Sequence, residues 1–475
     1  MLSPKKVVMV GCMAVLAASC ASYKPEPISA TDSAAALESR TLDDPRLRQF
    51  IEFAVPREDA SDTAAAWDLG KLTLAALYYH PDLDIARAKL AAARAGVVTA
   101  KQIPNPSLGL SLTYNSSVTM PTPWTIGPMI NFIIETFGRR EYRTAQAQAL
   151  SQAAREDLAT AGWQVRGRVR TGLLHVWAAE QRLRYASDRL QLQDQLTGLL
   201  ERRFAVGEAS SLDVSRERIN RNQISLALRD AEAQRASARV QLATAIGVPV
   251  RALDDVNLAL NTFDKPVQMR AEAAEGLRRQ ALLNRTDVQA LLGEYAAAQS
   301  ALQLRIASQY PNLNLGPGYT YDQGDRKFNL DISTELPIFN QNQGPIAEAA
   351  ANRQQVAARF VALQAQIIGA VDTAVGNYRA ATQAVATAEA LLGDAHSRRQ
   401  QILRSFQAGQ VDRPTLVTAE LELAAIELSR LDALLQQRQA LGALEDAVQQ
   451  SQFLSPGWPT VPEQNPRISH TEPSS

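Results

Sequence analysis

The sequence predicts a mainly α-helical fold with a small β-barrel portion. Three features of the 475-residue chain support this fold class. An internal repeat divides it into two similar halves, each half changes from helical to alternating periodicity in the same order, and long segments almost free of proline carry one apolar stripe. Together these features predict a duplicated unit that consists of a helix, a β-hairpin and a long helical hairpin.

The internal repeat is visible without gaps over a segment of each half. Residues 82–110 align with residues 287–315, and further along the same order returns when Gly207 is paired with Gly409. Each copy is about 200 residues long, whereas solenoid repeats are about 20 to 50 residues long. The repeat therefore indicates a duplicated domain.

Each copy contains a short segment in which apolar side chains alternate with polar ones. The segment SLGLSLTY begins at Ser107, and NLNLGPGYTY begins at Asn312. This period of two is typical of strands, and a partner strand follows each segment after a turn-rich stretch. The partner strands are expected over roughly 125–137 and 327–339, within β-hairpins at about 106–137 and 311–339.

Helical segments surround each hairpin. A helical stretch is predicted before each hairpin, over 67–103 and 274–309, and a long helix after it, over about 141–204 and 343–406. Such a helix is roughly 95 Å long at about 1.5 Å per residue. Each long helix breaks at a glycine and returns, so that helical hairpin tips are expected at about 204–213 and 406–415.

These elements define the predicted organisation of the chain. A first structural repeat and a second one are joined by a connector, and a Pro-rich tail ends the chain. The predicted ranges are 61–247 for the first repeat, 248–273 for the connector, 274–450 for the second repeat and 451–475 for the tail.

The N-terminal residues have the pattern of a secretory signal. Two lysines precede an apolar stretch too short to span a bilayer, and small residues stand directly before Cys20. Residues 1–19 are predicted to be removed, and Cys20 to become a lipidated, palmitate-bearing N-terminus. The alternative is an ordinary signal peptide with an incidental cysteine. Residues 20–60 are predicted to form an extended tether.

Composition excludes several classes of function. The 49 basic and 49 acidic residues cancel, which argues against nucleic acid as a partner. Two cysteines and four histidines provide little for a metal centre, and no catalytic or cofactor motif is present, so neither an enzyme, a metal site nor a cofactor is expected. His80 precedes Pro81 at a helix start, and Met129 is expected to pack rather than bind metal.

Two hairpins per chain provide four strands, too few to close a membrane barrel. An open sheet cannot lie in lipid, because the polar groups at its edges would have no partners. Three chains would supply twelve strands, so a homotrimer resolves the conflict.

The sequence resembles the TolC-like outer-membrane efflux protein family, in its lipoprotein branch. The resemblance rests on RFAVG at Arg203–Gly207, the degenerate FQAG at Phe406–Gly409, and LPIFN at Leu336–Asn340, the last being similar to members that serve heavy-metal cation efflux. It implies a trimer with a twelve-stranded barrel in the outer membrane and a twelve-helix α-barrel in the periplasm. It also implies contact with outer-membrane lipid and two protein partners, a periplasmic adaptor (membrane fusion protein) and an inner-membrane pump of the RND type.

The resemblance also assigns residues at the helical hairpin tips. Val206, Gly207, Ala408 and Gly409 match the turns that adaptors grip, although both glycines also suit helix ends, and one residue can serve both purposes.

Family tunnels close at this end, often with acidic rings, and Asp213 matches one such position. The second copy has Thr415 and Thr418 instead, so that Asp412 and Arg413 become the candidate charged residues of a gate. The alternative for all three charged residues is a solvated turn.

The function implied is the outer-membrane channel of a tripartite efflux pump. Two alternatives remain at this point: the duct of a type I protein-secretion system, and a periplasmic coiled-coil scaffold lipoprotein without a pore. The sequence does not identify the cargo, the adaptor or the pump.

Overall fold

The structure is a computed structural model that describes residues 23–54, 66–116, 122–266, 274–450 and 461–467. The predicted signal peptide and Cys20 lie outside the described residues. Within these ranges the chain is mainly helical and has one small antiparallel sheet, which confirms the predicted fold class at that level.

Ten α-helices and four strands form the described part of the chain, with two short 3-10 helices between the repeats. The helices are α1 Ala30–Glu38, α2 Pro45–Ala54, α3 Leu69–Tyr79, α4 Pro81–Lys101, α5 Arg139–Ala205, α6 Ser211–Ile246, α7 Ala274–Asn284, α8 Thr286–Ala307, α9 Gln343–Gln407 and α10 Arg413–Val448. The strands are β1 Ser107–Tyr114, β2 Trp124–Ile134, β3 Leu313–Asp322 and β4 Asp325–Thr334.

The helical stretch before each hairpin is divided into two helices. In the first copy the division is at His80, whose backbone is extended because the following Pro81 disfavours helical geometry at the residue before it. In the second copy Arg285 is extended instead, and its guanidinium donates to the Ala447 carbonyl at 2.7 Å and to the Asp287 carboxylate. Pairs of helices therefore replace the single stretches predicted over 67–103 and 274–309.

The predicted extended tether over 20–60 is wrong for residues 23–54, which contain α1 and α2. Leu47 and Ile51 lie one helical turn apart on α2 and are buried, together with Leu42, in the main core. The Arg40 guanidinium donates to the carbonyls of Tyr79 and Gly247, at 2.9 and 2.8 Å. Composition suggested a linker, but three spaced apolar side chains are sufficient to dock this segment.

The two β-hairpins form a single sheet of order β1-β2-β3-β4, with every neighbouring pair antiparallel. The β2–β3 ladder joins the first repeat to the second. Gln323 and Gly324, both at positive φ, make the tight turn between β3 and β4. β2 and β4 end at Ile134 and Thr334, earlier than predicted; Phe137 then adopts a positive φ, and Pro337 cannot donate to a ladder.

The main core lies where α3, α4, α5 and α6 meet. Trp177 of α5 is fully buried there, and its indole Nε1 donates to the Asp264 carboxylate of the connector at 2.9 Å. Phe263 packs against the same indole ring. The described part of the connector is therefore packed against the first repeat.

A buried ionic cluster joins α5 to α10. Glu445 Oε2 accepts from Arg170 at 3.0 Å and from Arg166 at 3.3 Å, and the Arg166 and Glu445 side chains are almost fully buried. Breaking such a cluster is costly, because the remaining charge stays buried without its partner. The cluster thus fixes the relative position of the two repeats near the middle of the long helices.

The described part of the C-terminal tail, residues 461–467, lies against α4 and α5. Val461 covers Gly162, where an added Cβ would come within 2.1 Å of the valine side chain. Glu463 forms ion pairs with Arg94 and Arg155, and Arg87 donates to the Pro462 carbonyl at 3.0 Å. These contacts tie the tail to the first repeat.

Replacing Leu47 tests whether the N-terminal segment belongs to the fold. Leu47→Ala is expected to lower the free energy of unfolding by about 2 to 4 kcal/mol, because it leaves a cavity in a packed core. Phe53→Ala on the same helix is the matched control, since Phe53 is 93% exposed and its loss should change stability little. Denaturant unfolding measures both, and equal effects would contradict the docked position of α2.

Candidate functional site

The first helical hairpin tip consists of the residues between α5 and α6. The amide of Val206 donates to the Arg203 carbonyl at 3.2 Å, and Glu208 N donates to the same carbonyl at 2.8 Å. Gly207 stands between them at φ +81°, a conformation that glycine adopts without strain. No heavy atom lies within 4 Å of a Cβ added at Gly207, so backbone conformation, and not lack of space, calls for glycine.

The second tip repeats this geometry between α9 and α10. Gly409 has φ +72°, its amide donates to Phe406 O at 3.0 Å, and Gln410 N donates to Ser405 O at 2.8 Å. Here too the glycine is open to solvent. Both glycines therefore end helices, and Val206 and Ala408 beside them are exposed, which leaves both tips accessible to a partner.

Asp213 takes part in local capping at the start of α6. Its carboxylate accepts from Ser210 Oγ at 2.6 Å and from Ser210 N at 3.3 Å, while Ser210 Oγ accepts from Asp213 N at 3.1 Å. This is a capping box. The hydrogen bonds from Ser210 hold the pKa of Asp213 below its usual value, so the exposed carboxylate is ionised at neutral pH.

Asp412 has a wider role than Asp213. It caps α10 by accepting from Thr415 N at 3.0 Å and from Thr415 Oγ1 at 2.5 Å. It also forms an ion pair with Arg203 of the first tip, at 2.8 Å. The hydrogen bonds from Thr415, with a further contribution from Arg203, lower the pKa of the Asp412 carboxyl. Asp412 thus connects the two tips of one chain.

Arg413 lies beside Asp412 in sequence but has a different contact. Its guanidinium lies over the Phe406 ring, 5.7 Å from the ring centroid, within the second tip. The structure therefore brings Asp412 together with Arg203, and places Asp213 and Arg413 in separate local contacts. Sequence reasoning missed Arg203 as a member of this site, although it begins the RFAVG motif.

The second surface is the sheet, whose register places its apolar side chains on one face. Apolar residues of this face are directly opposite each other on adjacent strands. Examples are Leu108 with Ile130, Pro317 with Leu330, and Tyr319 with Phe328. Most of these side chains are exposed, up to 87% for Phe328. An exposed apolar surface of this extent is unusual on a water-facing sheet and indicates a partner or a lipid environment.

Aromatic side chains lie near both ends of this sheet. Near the turns, Tyr114 packs edge-on against Trp124 with ring centroids 5.0 Å apart. At the opposite end, where the strands meet the helices, Phe137 stacks on Tyr310 at 4.0 Å. Aromatic rings suit the two boundaries between an apolar layer and water.

The opposite face of the sheet is polar. Its side chains are mainly serine, threonine, asparagine and glycine, together with charged residues on β3 and β4. The sheet is therefore two-sided, and its edge strands, β1 and β4, each have a neighbour on one side in the described part of the chain. In that part we find no cluster of three potential metal ligands and no helix able to cross a membrane.

Polar residues at a helix start and at the base of the sheet have structural contacts. The His80 Nδ1 atom accepts from Asp82 N at 3.1 Å and so caps α4. Arg139 donates to Asn312 at 2.9 Å, and Arg143 donates to the Ala100 carbonyl at 3.0 Å and pairs with Glu135. These arginines connect strand ends to helix ends at the boundary between the sheet and the helices.

Comparison with known proteins agrees with this architecture. Residues 73–248 match the outer membrane efflux protein family. The pyoverdine export outer membrane protein OpmQ of Pseudomonas aeruginosa is 26% identical over 328 residues, which cover 62% of this chain and 67% of OpmQ. The cobalt-zinc-cadmium resistance protein CzcC of Cupriavidus metallidurans is 26% identical over 270 residues, 56% of this chain and 62% of CzcC.

The solved structure of the outer-membrane channel OprN has the same fold. It superposes with a TM-score of 0.65 at 19% identity, over 93% of this chain and 99% of OprN. The chain spans about two thirds of the length of the two curated relatives, whereas the likeness of fold extends over nearly all of it. Motifs, fold and sequence relatives agree, and the resemblance to the outer membrane efflux protein family is confirmed over residues 73–248, which match its model.

Proposed function

We propose that this protein is the outer-membrane channel of a tripartite efflux pump. The observation that carries the proposal is the two-sided sheet, apolar on one face and polar on the other, joined to helices of 65 and 67 residues. An apolar face can contact lipid while the polar face lines water. The helices, each about 100 Å long at about 1.5 Å per residue, can then cross an aqueous compartment.

The open edges of the sheet support the proposal of a homotrimer. Four strands cannot close around a pore, and backbone donors on β1 and β4 need partners in lipid. Pairing β4 of one chain with β1 of the next closes a barrel of twelve strands after three copies, an even number as in other bacterial barrels. The four long helices of each chain would then form a twelve-helix α-barrel in the periplasm.

The exposed helical hairpin tips support the proposal of a periplasmic adaptor as the partner. Val206, Gly207, Ala408 and Gly409 form two similar blunt turns at the end of the helices far from the sheet. In a trimer they would form a ring of six turns, which matches a partner that presents helical hairpins. The adaptor would in turn connect the channel to an inner-membrane pump of the RND type.

Location at the outer membrane agrees with the family. Lipidation of Cys20 would anchor the N-terminus in the inner leaflet, beside the barrel. Helix α2 lies against α3, so that the chain between the anchor and the core is shorter than a free tether over 20–60 would be. A lipid anchor and a barrel would thus hold the same chain at two points.

For the cargo we propose metal cations or small toxic compounds. One relative is named for pyoverdine export and another for cobalt-zinc-cadmium resistance. Protein secretion through a type I system remains the second candidate, because the architecture of the tunnel does not determine which type of inner-membrane transporter it serves. A scaffold without a pore has no use for an exposed apolar sheet.

Two neighbouring residues on opposite faces of β4 test the channel. Leu330→Arg places a charge on the apolar face. At the middle of the bilayer this should make the free energy of membrane insertion about 2 to 4 kcal/mol less favourable. Asn329→Arg, on the polar face, is the matched control and should insert normally. Trimer yield in outer-membrane fractions and step conductance in planar bilayers measure the result. A wild-type monomer that does not conduct, or equal insertion of both variants, would overturn the proposal.

The ion pair between Arg203 and Asp412 is proposed as part of the periplasmic gate. Both side chains are more than a third exposed, so the pair contributes at most about 1 kcal/mol, which corresponds to roughly a fivefold shift between closed and open states. Arg203→Gln should raise the open fraction in single-channel records by up to that factor. Arg202→Gln removes the same charge next to it and should have no effect; equal effects of the two variants would reject the gate.

Substitutions that strain the two tip glycines test whether the helical hairpin tips dock the adaptor. Gly207→Val combined with Gly409→Val puts β-branched residues at positive φ and should distort both tips, at about 1 to 2 kcal/mol each. We expect loss of cellular resistance to a panel of divalent cations and dyes while conductance of the purified trimer is retained. The control is Gly198→Ala on α5, where no heavy atom outside the backbone of the helix lies within 4 Å of the added Cβ. Full resistance of the double variant would exclude these tips from docking.

A further inference from the structure

The polar face of the sheet carries an uneven distribution of charge. In the described strands its ionisable groups are Asp322, Asp325, Lys327 and Asp331. Lys327 Nζ lies 2.6 Å from Asp322, which also accepts from Thr125 Oγ1 at 2.8 Å, so that these two charges neutralise each other. The carboxylates of Asp325 and Asp331 remain, and the polar face is therefore net acidic.

The two remaining carboxylates differ in position. Asp325 adjoins the turn between β3 and β4, where it pairs in register with Asp322 at the open end of the sheet. Asp331 lies six residues further along β4, roughly 20 Å from the turn at about 3.3 Å per residue. The Asp331 side chain is exposed and has no hydrogen-bond or ion-pair partner among the described residues. Within that part of the chain, Asp331 is thus a charge well inside the sheet without a counter-charge.

The neighbours of Asp331 in its cross-strand row are small or neutral. Asn131 of β2 and Gly316 of β3 follow each other across the sheet in register with it. A Cβ added at Gly316 would lie 2.7 Å from Asn131 Oδ1, 3.1 Å from Met129 Sδ and 3.3 Å from the Asp331 Cβ. The side chains of Asn131, Met129 and Asp331 therefore close over Gly316, and an amide oxygen and a thioether lie next to the aspartate side chain.

These groups suit the passage of a cation but not its retention. One carboxylate and one amide oxygen do not form a closed coordination sphere for a metal ion. In the proposed barrel the apolar outer face lies in lipid, and a low-dielectric wall strengthens the field of a fixed charge inside the lumen. Three copies of Asp331 would form an acidic belt that raises the local concentration of cations and repels anions, with binding weak enough to permit conduction.

We propose that Asp331 determines the cation preference of the barrel lumen. The inference rests on the proposed channel and adds a selecting residue on the sheet, separate from the charged residues at the helical hairpin tips. The favoured permeants are cations, metal or organic, and anionic compounds meet an electrostatic barrier at this level.

Reversal potentials of the full-length protein in planar bilayers test the inference. We would use a KCl gradient with about 0.1 M on the dilute side, where the Debye length of about 10 Å keeps the belt effective. Asp331→Asn preserves side-chain shape and should lower the potassium-to-chloride permeability ratio roughly threefold, as expected for removing unit charges several Å from the ion path. Asp331→Lys should lower the potassium-to-chloride permeability ratio further, so that the channel prefers chloride.

Two further variants on β4 separate a local field from a general charge effect. Asn329→Asp adds a carboxylate two residues away on the polar face and should raise the permeability ratio. Arg326→Gln removes a charge from the opposite face of the same strand and should leave the ratio unchanged. A conducting wild type whose ratio does not change in Asp331→Asn would overturn this inference and leave the channel intact. A wild type that does not conduct would overturn both.

Discussion

A four-stranded sheet with an exposed apolar face and two open edges is the constraint on which the rest of the structure depends. Each edge presents backbone donors and acceptors that need partners, and a lipid environment offers none. Short strands from one chain cannot resolve this by closing on themselves. The proposed association of several copies would resolve it, and the β2–β3 ladder already makes the two hairpins of each chain one continuous sheet.

Among the connections that hold the two repeats of the chain together, three differ clearly in strength. The β2–β3 ladder is a set of backbone hydrogen bonds, and the cluster of Arg166, Arg170 and Glu445 is buried, so that breaking it is expected to cost about 3 to 5 kcal/mol. The ion pair between Arg203 and Asp412 at the tips is exposed and weak. The molecule is thus firmly joined at the sheet and in the middle, and least constrained at the end proposed to dock and open.

Much of the fold follows from local patterns in the sequence. The long helices begin and end within about two residues of the prediction, since an apolar stripe without proline ends at a glycine in each copy. The strands were found from their alternation, but β2 and β4 end early, at residues where backbone geometry changes. The N-terminal tether was wrong, because composition does not show that Leu42, Leu47 and Ile51 have a core to enter.

The sequence by itself determined the duplicated unit, the class of each element, and the glycines and capping residues at the tips, because these depend on interactions within a few residues. Only the tertiary structure decided which charges meet. Arg203 and Asp412 are far apart in the chain, and their pairing depends on how two helical hairpins lie side by side. In the same way, the register of three strands leaves Asp331 without a counter-ion among the described residues, and register is a property of pairing that no single strand contains.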